Sequence, residues 1–559
     1  MICMIEQIKL ELRQLLFDHL DIEDVVLEVP KRGDSDLAIP LFGYQKQMGK
    51  KLPEIFDLFK DILIQHRLVE SVVFTAGFLN IYLKRVDVSK SILNSIHDEK
   101  QSFGTQPNNN KTIVIDYSSP NIAKSFSVGH LRSTVIGNSL KLIYQKLGYN
   151  VVGINHLGDW GTQFGSMMVA YRMWGDKDKI KANPIDELQA LYVRFHEAAE
   201  KDESLKQKAR DAFLKLEQGD PEYTKLWTYF REVSLQEFMT MYDILDVSFD
   251  SYNGEAFYND KMDRVVKELE DKHLLVEDQG AMVVKLEDDT PPVLIKRSDG
   301  ATLYTTRDLA ALLYRNDTYH FDKALYVVGN EQKLHFENLK KVVKMMGYDF
   351  NIEHINFGLV LQDGKKMSTR KGKTTKLDYV LNQAVLKAKQ AIEEKNPNLE
   401  NKDQVAKVVG IGAVIFNDLK NDRTLNIEFD LDGMLKFEGQ TGPYLLYSIV
   451  RIFSILKSNT IDITQVDYTL YQDEIYYSLI KVLDQFPSVV QRAAESYSPS
   501  TVAKYLLQLS QEFNTFYAKV KINDSNDVVR QTNLLLVESI LNILIEGLRL
   551  LGMKHLEAM

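Results

Sequence analysis

A chain of 559 residues, 45% hydrophobic and 26% charged, has apolar material for roughly three to four domains of ordinary size and is not a largely disordered protein. Acidic residues outnumber basic ones 78 to 68, a formal net charge of −10, so a polyanionic partner must meet a locally basic face. The single cysteine, Cys3, excludes an internal disulfide and a cysteine-based zinc cluster.

The opening MICMIEQIKL lacks a basic leader and is not read as a signal peptide. Residues 5–20 follow as an amphipathic helix. Strand-like runs VVLEVP and VVFTAGFLNIYL flank a helical stretch at 52–66, so 1–105 reads as a small α+β unit that ends in the polar tract 101–111. KTIVIDYSS is a buried-strand run, GHLRSTVIGNSLKLIYQKLG an amphipathic helix stopped by Gly148, and YNVVGINHLGDWG a second strand. Strand, turn, helix and strand make a βαβ unit, which calls for a parallel sheet with its ligand site at the carboxyl ends of the strands. A charged helical insertion is expected at about 165–249. Strand signals at AMVVKLE, PVLIKR, KALYVVGN and HINFGLVLQ then read as the parallel sheet resuming, which closes a domain at 106–376. Apart from a short strand piece at 426–429, residues 377–559 read as a helical bundle. Its richest apolar stretch, LLLVESILNILIEGLRLL, is broken by Glu538, Asn542, Glu546 and Arg549 and is not a membrane span.

Two segments carry chemistry. In SSPNIAKSFSVGHLRST (118–134), Pro120 and Gly129 are expected to shape a tight turn that sets His130 in the first turn of a helix. An imidazole beside unpaired helix-end N–H groups can bind phosphate oxygens and, as a cation, stabilise charge on a leaving phosphate; Lys124 and Arg132 add positive charge nearby. In LQDGKKMSTRKGKTTK (361–376), Lys365, Lys366, Arg370, Lys371, Lys373 and Lys376 face a single acid, Asp363, and Gly364 and Gly372 argue for a loop. A cationic loop of that kind can close on a triphosphate in the transition state. Taken singly, each segment is equally a helix cap or a solvated basic loop.

Together, a GH turn after the first strand and KMSTR after a late strand resemble the paired signatures of class I aminoacyl-tRNA synthetases. The blocks SSPNIAK, GHLRST, NHLGDWGTQFG, GEAFY, LYTTRDLA and EGQTGPYLLY resemble arginyl-tRNA synthetase, in the right order from about residue 77 to 559. The resemblance implies an α/β fold: a Rossmann-like parallel-sheet catalytic domain with a helical insertion, a small N-terminal α+β domain contacting tRNA, and a C-terminal all-helical anticodon-binding bundle. The implied activity is that of an arginine–tRNA ligase, joining L-arginine to tRNA(Arg) through an adenylate made from ATP with Mg2+. The implied state is a cytoplasmic monomer with no membrane partner and no metal held by the protein itself.

The resemblance also implies roles for particular residues. His130, Lys124, Lys366 and Arg370 are expected in catalysis, and Ser127, Gly129, His130, Gly158, Asp159, Lys366, Met367 and Ser368 at ATP. Trp160 and Gln163 follow the same strand. Asn121, Tyr304, Asp308 and Gln332 are expected around the substrate arginine, whose planar guanidinium needs acceptors in fixed geometry. Tyr304 and Asp308 are four apart and share a face if helical. Asn80, Tyr444, Tyr447, Arg451, Tyr517 and Met559 are expected at tRNA, the rings and guanidinium suiting unpaired bases. Glu255 matches a family acid whose role the sequence leaves open. Departures from the family pattern are Ser127, where many relatives have histidine, Ser125 in place of a usual proline, Thr369-Arg370 in place of Lys-Ser, and Ala558 where arginine is common. Ser127 is the one feature that favours a catalytically silent tRNA-binding paralogue; the other alternative, a class I synthetase for another amino acid, is favoured if Asp308 lies away from the crevice.

Overall fold

The β-branched runs that read as buried strands form the centre of the molecule, seen in a computed structural model that describes all residues except 1–2, 31–32, 287–289, 298–303, 363, 368–375 and the Lys366 side chain. Four parallel strands lie in the order Ile352–His354, Lys323–Tyr326, Thr112–Asp116 and Asn150–Ile154. The helix Val128–Lys146 connects the two strands of the expected βαβ unit. It is buried almost all round rather than amphipathic, because helical layers pack against it on the side away from the sheet. Gly148 ends it in a left-handed conformation (φ +79°), where a Cβ would lie 2.1 Å from the Pro107 carbonyl oxygen.

The helical insertion is present as Gln163–Trp174, Lys177–Ala182, Pro184–Lys201, Ser204–Glu217 and Pro221–Leu245. Two of the four later strand signals lie wholly outside the parallel sheet, and a third enters it only at His354. Ala281–Val284 is the middle strand of a separate three-stranded antiparallel sheet, with Leu275–Asp278 on one side and Val293–Lys296 on the other. The links between consecutive strands are too short in sequence for a parallel pair, which needs a crossover of a dozen or more residues. Val360–Gln362 also leaves the main sheet, pairing with Lys365–Lys366 and, in parallel, with Ile427–Glu428. The chain beyond 376 therefore crosses back to the strand that carries the second signature before entering its last helices.

At the front, Leu37–Pro40, Phe78–Leu83 and Val69–Thr75 form an antiparallel sheet against the helices Met4–Leu20 and Leu52–Leu63. The run VVLEVP contributes only one bridge, Glu28 to Ala38. The long apolar helix Asp527–Leu550 is a core helix of the bundle, 72% buried over its most apolar window. Its Glu546 forms a buried ion pair (2.9 Å) with Lys146 at the end of the central helix.

Candidate active site

The carboxyl ends of the parallel strands open on a crevice of about 560 Å³. The first strand delivers Asp116, Ser118, Ser119 and Asn121 to its wall, the second His156 and Gly158, and the third Tyr326 to Gly329. Gly129 and His130 enter from the central helix, Tyr304 and Asp308 from Tyr304–Tyr319, and Gln332 and His335 from the start of Lys333–Met345. Seven residues named from the sequence for ATP or arginine thus share one cavity: Asn121, Gly129, His130, Gly158, Tyr304, Asp308 and Gln332. Glu255 lines it as well.

The turn after the first strand is strained at Ser118, Ser119 and Ala123, all at positive φ, rather than at Pro120 or Gly129. Its conformation is fixed from several sides. The Ser118 N–H donates to Ser133 Oγ (2.8 Å), Ser119 Oγ to Asp116 (2.8 Å), and Ser118 Oγ meets Tyr242 Oη (2.8 Å). Gly158 lies so close to Asn121 that a Cβ there would sit 2.3 Å from Asn121 Oδ1.

His130 closes the helix N-terminus through its own ring. The Ser127 backbone N–H, which can only donate, points at His130 Nδ1 (3.0 Å), and Ser127 Oγ lies 3.1 Å from the same atom. Nδ1 is therefore the acceptor, and the ring proton sits on Nε2. Burial, then the charge of Lys124, push the His130 pKa down to about 4, so the imidazole is neutral at neutral pH. The expected cation is instead a neutral N–H donor.

Three further expectations are corrected. Ser127 is buried and spends its hydroxyl on His130, so it reaches the crevice only through that ring. Arg132 is 1% exposed and pairs with Asp418 (3.1 Å), donating also to the carbonyls of Gly358 (2.8 Å) and Leu425 (2.9 Å). Asp159 is likewise 1% exposed and accepts from Arg231 Nε (2.9 Å) and the Ala256 N–H (2.9 Å), which ties the insertion to the sheet. Neither offers its charge to a ligand in the cavity.

Lys124 is exposed on the turn. Lys366 ends the strand that pairs with 361–362, and the Met367 N–H donates to the Val360 carbonyl (2.9 Å). Ser368 and Arg370 lie outside the described residues. That segment is tied to the first signature at its far end, where Lys376 bridges to Ser127, Leu377 N–H donates to the Phe126 carbonyl (2.9 Å), and Lys376 pairs with Asp186.

Several crevice residues were missed. Asp116 pairs with buried Arg315 (2.8 Å), whose Nη2 lies 3.3 Å from His156 Nδ1, and His335 Nε2 lies 2.7 Å from Asp308 Oδ2. These pairs span 199, 159 and 27 positions, so no local pattern exposes them. Burial pushes the Glu255 pKa up to about 7, an effect that Arg307 opposes and Asp308 and Asp159 reinforce.

Away from the crevice, Arg451 lies over Tyr447 (5.0 Å to the ring centroid) and Tyr517 (4.8 Å), which are 45% and 43% exposed. Arg451 donates to Asn514 (2.6 Å), which donates to Tyr444 Oη (2.9 Å). Met559 packs on the bundle, its carbonyl accepting from Asn396 (3.5 Å). Asn80 sits in the middle strand of the front sheet and accepts from Ser35 (3.1 Å).

The parallel sheet, its crevice and the paired signature segments define a class I aminoacyl-tRNA synthetase. Residues 91–431 match the family described as tRNA synthetases class I (R), catalytic domain; 445–559 match the DALR anticodon binding domain, and 4–83 the arginyl tRNA synthetase N terminal domain. The chain belongs to the arginyl-tRNA synthetase family. It is 50% identical over 554 residues to an arginine–tRNA ligase of an Exiguobacterium species, covering 98% of each chain, and 49% identical over 557 residues to that of Enterococcus faecalis, again 98% of each. Among solved structures it resembles the arginyl-tRNA synthetase of Plasmodium falciparum, with TM-score 0.80 and 26% identity over all of both chains. The Thermus thermophilus arginyl-tRNA synthetase shares the fold with TM-score 0.82 and 24% identity, also over all of both chains.

Proposed function

We infer that the crevice activates L-arginine with ATP and that the arginyl group then passes to the 3′-terminal ribose of tRNA(Arg). The observation that carries this reading is the convergence of Asn121, Gly129, His130, Gly158, Tyr304, Asp308 and Gln332, from five separate chain segments, on one cavity at the strand ends.

Arginine's carboxylate attacks the α-phosphorus of ATP, the bond to the bridging oxygen of the β-phosphate breaks, and pyrophosphate leaves. ATP enters as its magnesium complex, the ion held mainly by phosphate and water. His130 donates its Nε2–H to the phosphates; Lys124, Lys366 and Arg370 supply charge, with Met367 and Ser368 in the same segment as Lys366 and Arg370. Asp308 and Glu255 take the guanidinium, with Tyr304, Gln332 and Asn121 orienting the substrate. Two carboxyls beside one cation suit a guanidinium, whose N–H donors need more than one acceptor. A ribose hydroxyl, the 2′-OH by class, then attacks the adenylate carbonyl and AMP leaves.

We assign 1–105 to tRNA contact through Asn80, 106–376 to catalysis, and 377–559 to the anticodon, with Tyr444, Tyr447, Arg451, Tyr517 and Met559 on that face. The two exposed rings around Arg451 support the last assignment, since such rings stack on unpaired bases. We also propose that the protein acts as a cytoplasmic monomer. Arginine-dependent exchange of labelled pyrophosphate into ATP, with and without tRNA(Arg), tests the reading. Exchange only with tRNA means that the RNA completes the site. Exchange without it keeps the enzyme and removes that coupling. No exchange in either case, with tRNA still bound, replaces the reading by a silent tRNA-binding protein.

A further inference from the structure

The Asp308 carboxylate has a partner within the protein. Its Oδ2 lies 2.7 Å from His335 Nε2, and both residues line the crevice from different helices, Tyr304–Tyr319 and Lys333–Met345. The imidazole is itself held: its ring meets Phe336 edge-on at 5.3 Å, and Phe336 stacks on His354 at 4.7 Å. Gln332, three residues earlier, immediately precedes the same helix and lines the same cavity.

The torsion that turns an aspartate carboxylate about its own axis is broad and two-fold, so an unheld carboxylate swings to meet whatever cation approaches. A planar guanidinium offers parallel N–H donors and gains from a carboxylate fixed in one plane. A lysine ammonium is a point charge and gains little from that plane. We propose that His335 is a positioning and specificity-determining residue, whose ring N–H fixes the Asp308 carboxylate so that it presents a set edge to the substrate guanidinium. The proposal rests on the reading of Asp308 as an arginine ligand. Burial alone would lower the proton affinity of His335, but the bond to Asp308 reverses this and raises it, as expected for a committed pair.

The test is pyrophosphate exchange by the full-length protein with tRNA(Arg) present, run on His335→Leu, His335→Gln and Asp308→Asn with arginine and with lysine. Leucine removes the donor, whereas the glutamine amide places an N–H near the position of Nε2. The leucine variant is expected to raise the arginine KM about 10- to 100-fold, the range for losing a hydrogen bond to a charged group, and to narrow the preference for arginine over lysine. The ATP KM and the melting temperature should stay at wild-type values, and the glutamine variant should recover the arginine KM to within about threefold. An unchanged arginine KM in the leucine variant overturns the proposal. So does an equal loss in both His335 variants with the ATP KM rising in step, which would mark a structural role. A wild-type arginine KM in Asp308→Asn overturns the reading of Asp308 itself, and is distinct from a failure at His335 alone.

Discussion

Around the crevice, charged side chains meet one another: Asp116 with Arg315, Asp308 with His335, Asp159 with Arg231. Around Arg451 the arrangement is reversed, with Tyr447 and Tyr517 turned nearly half into solvent on either side of the guanidinium. The first region is a network whose members hold each other in place. The second is a platform whose rings are partly exposed. A substitution in the network should spread to its neighbours and fail additivity, while one on the platform should stay local.

The largest effect should come from breaking a fully buried ion pair behind the crevice. Arg132→Met strands the buried Asp418 carboxylate, and we expect a loss of about 3–5 kcal/mol in urea unfolding. Adding Asp418→Leu should recover most of it; a double variant no more stable than the single one would mean that the pair is not an isolated unit. Next comes chemistry without folding. His130→Ala should slow pyrophosphate exchange about a hundred- to a thousandfold, the range for one lost transition-state donor, and leave tRNA affinity in filter binding unchanged. Equal losses in both would remove His130 from its assigned role.

On the platform, Tyr447→Ala and Tyr517→Ala should each weaken tRNA(Arg) binding by about 1–3 kcal/mol, without altering exchange at saturating tRNA. A fall in exchange under those conditions would erase the contrast between the regions. The smallest effect is electrostatic. With its pKa pushed up to about 7, Glu255 is protonated below that pH and ionised above it. Cationic arginine favours the ionised form, so the arginine KM should rise as pH falls, by at most about tenfold per unit below pH 7. Glu255→Gln should flatten most of that dependence; an undiminished slope assigns the titration elsewhere.

Local pattern was enough for much of the architecture. The hydrophobic run KTIVID, the stop at Gly148 and the charged helices of the insertion each follow from a periodicity or a breaker that acts within a few residues. Of the candidate site residues, His130 was marked by its place at a helix start, whereas Tyr304, Asp308 and Gln332 were named only through the resemblance to the family. Pattern failed where the outcome depended on distant partners. AMVV and VLIK have the same apolar look as KALY, and only their antiparallel pairing with each other, and that of AMVV with Leu275–Asp278, sets them apart from the parallel sheet. Arg132 and Asp159 looked like ligand-facing charges, yet each is neutralised by a residue far along the chain.

The sequence by itself determined the βαβ unit and the helical insertion and tail, since these rest on side-chain period and turn chemistry. Tertiary structure alone decided the charge each group carries into the crevice. It made His130 a neutral donor, raised the proton affinity of Glu255, and gave Asp308 a histidine partner. Protonation follows from burial and from the nearest opposite charge, and both exist only once remote segments have packed together.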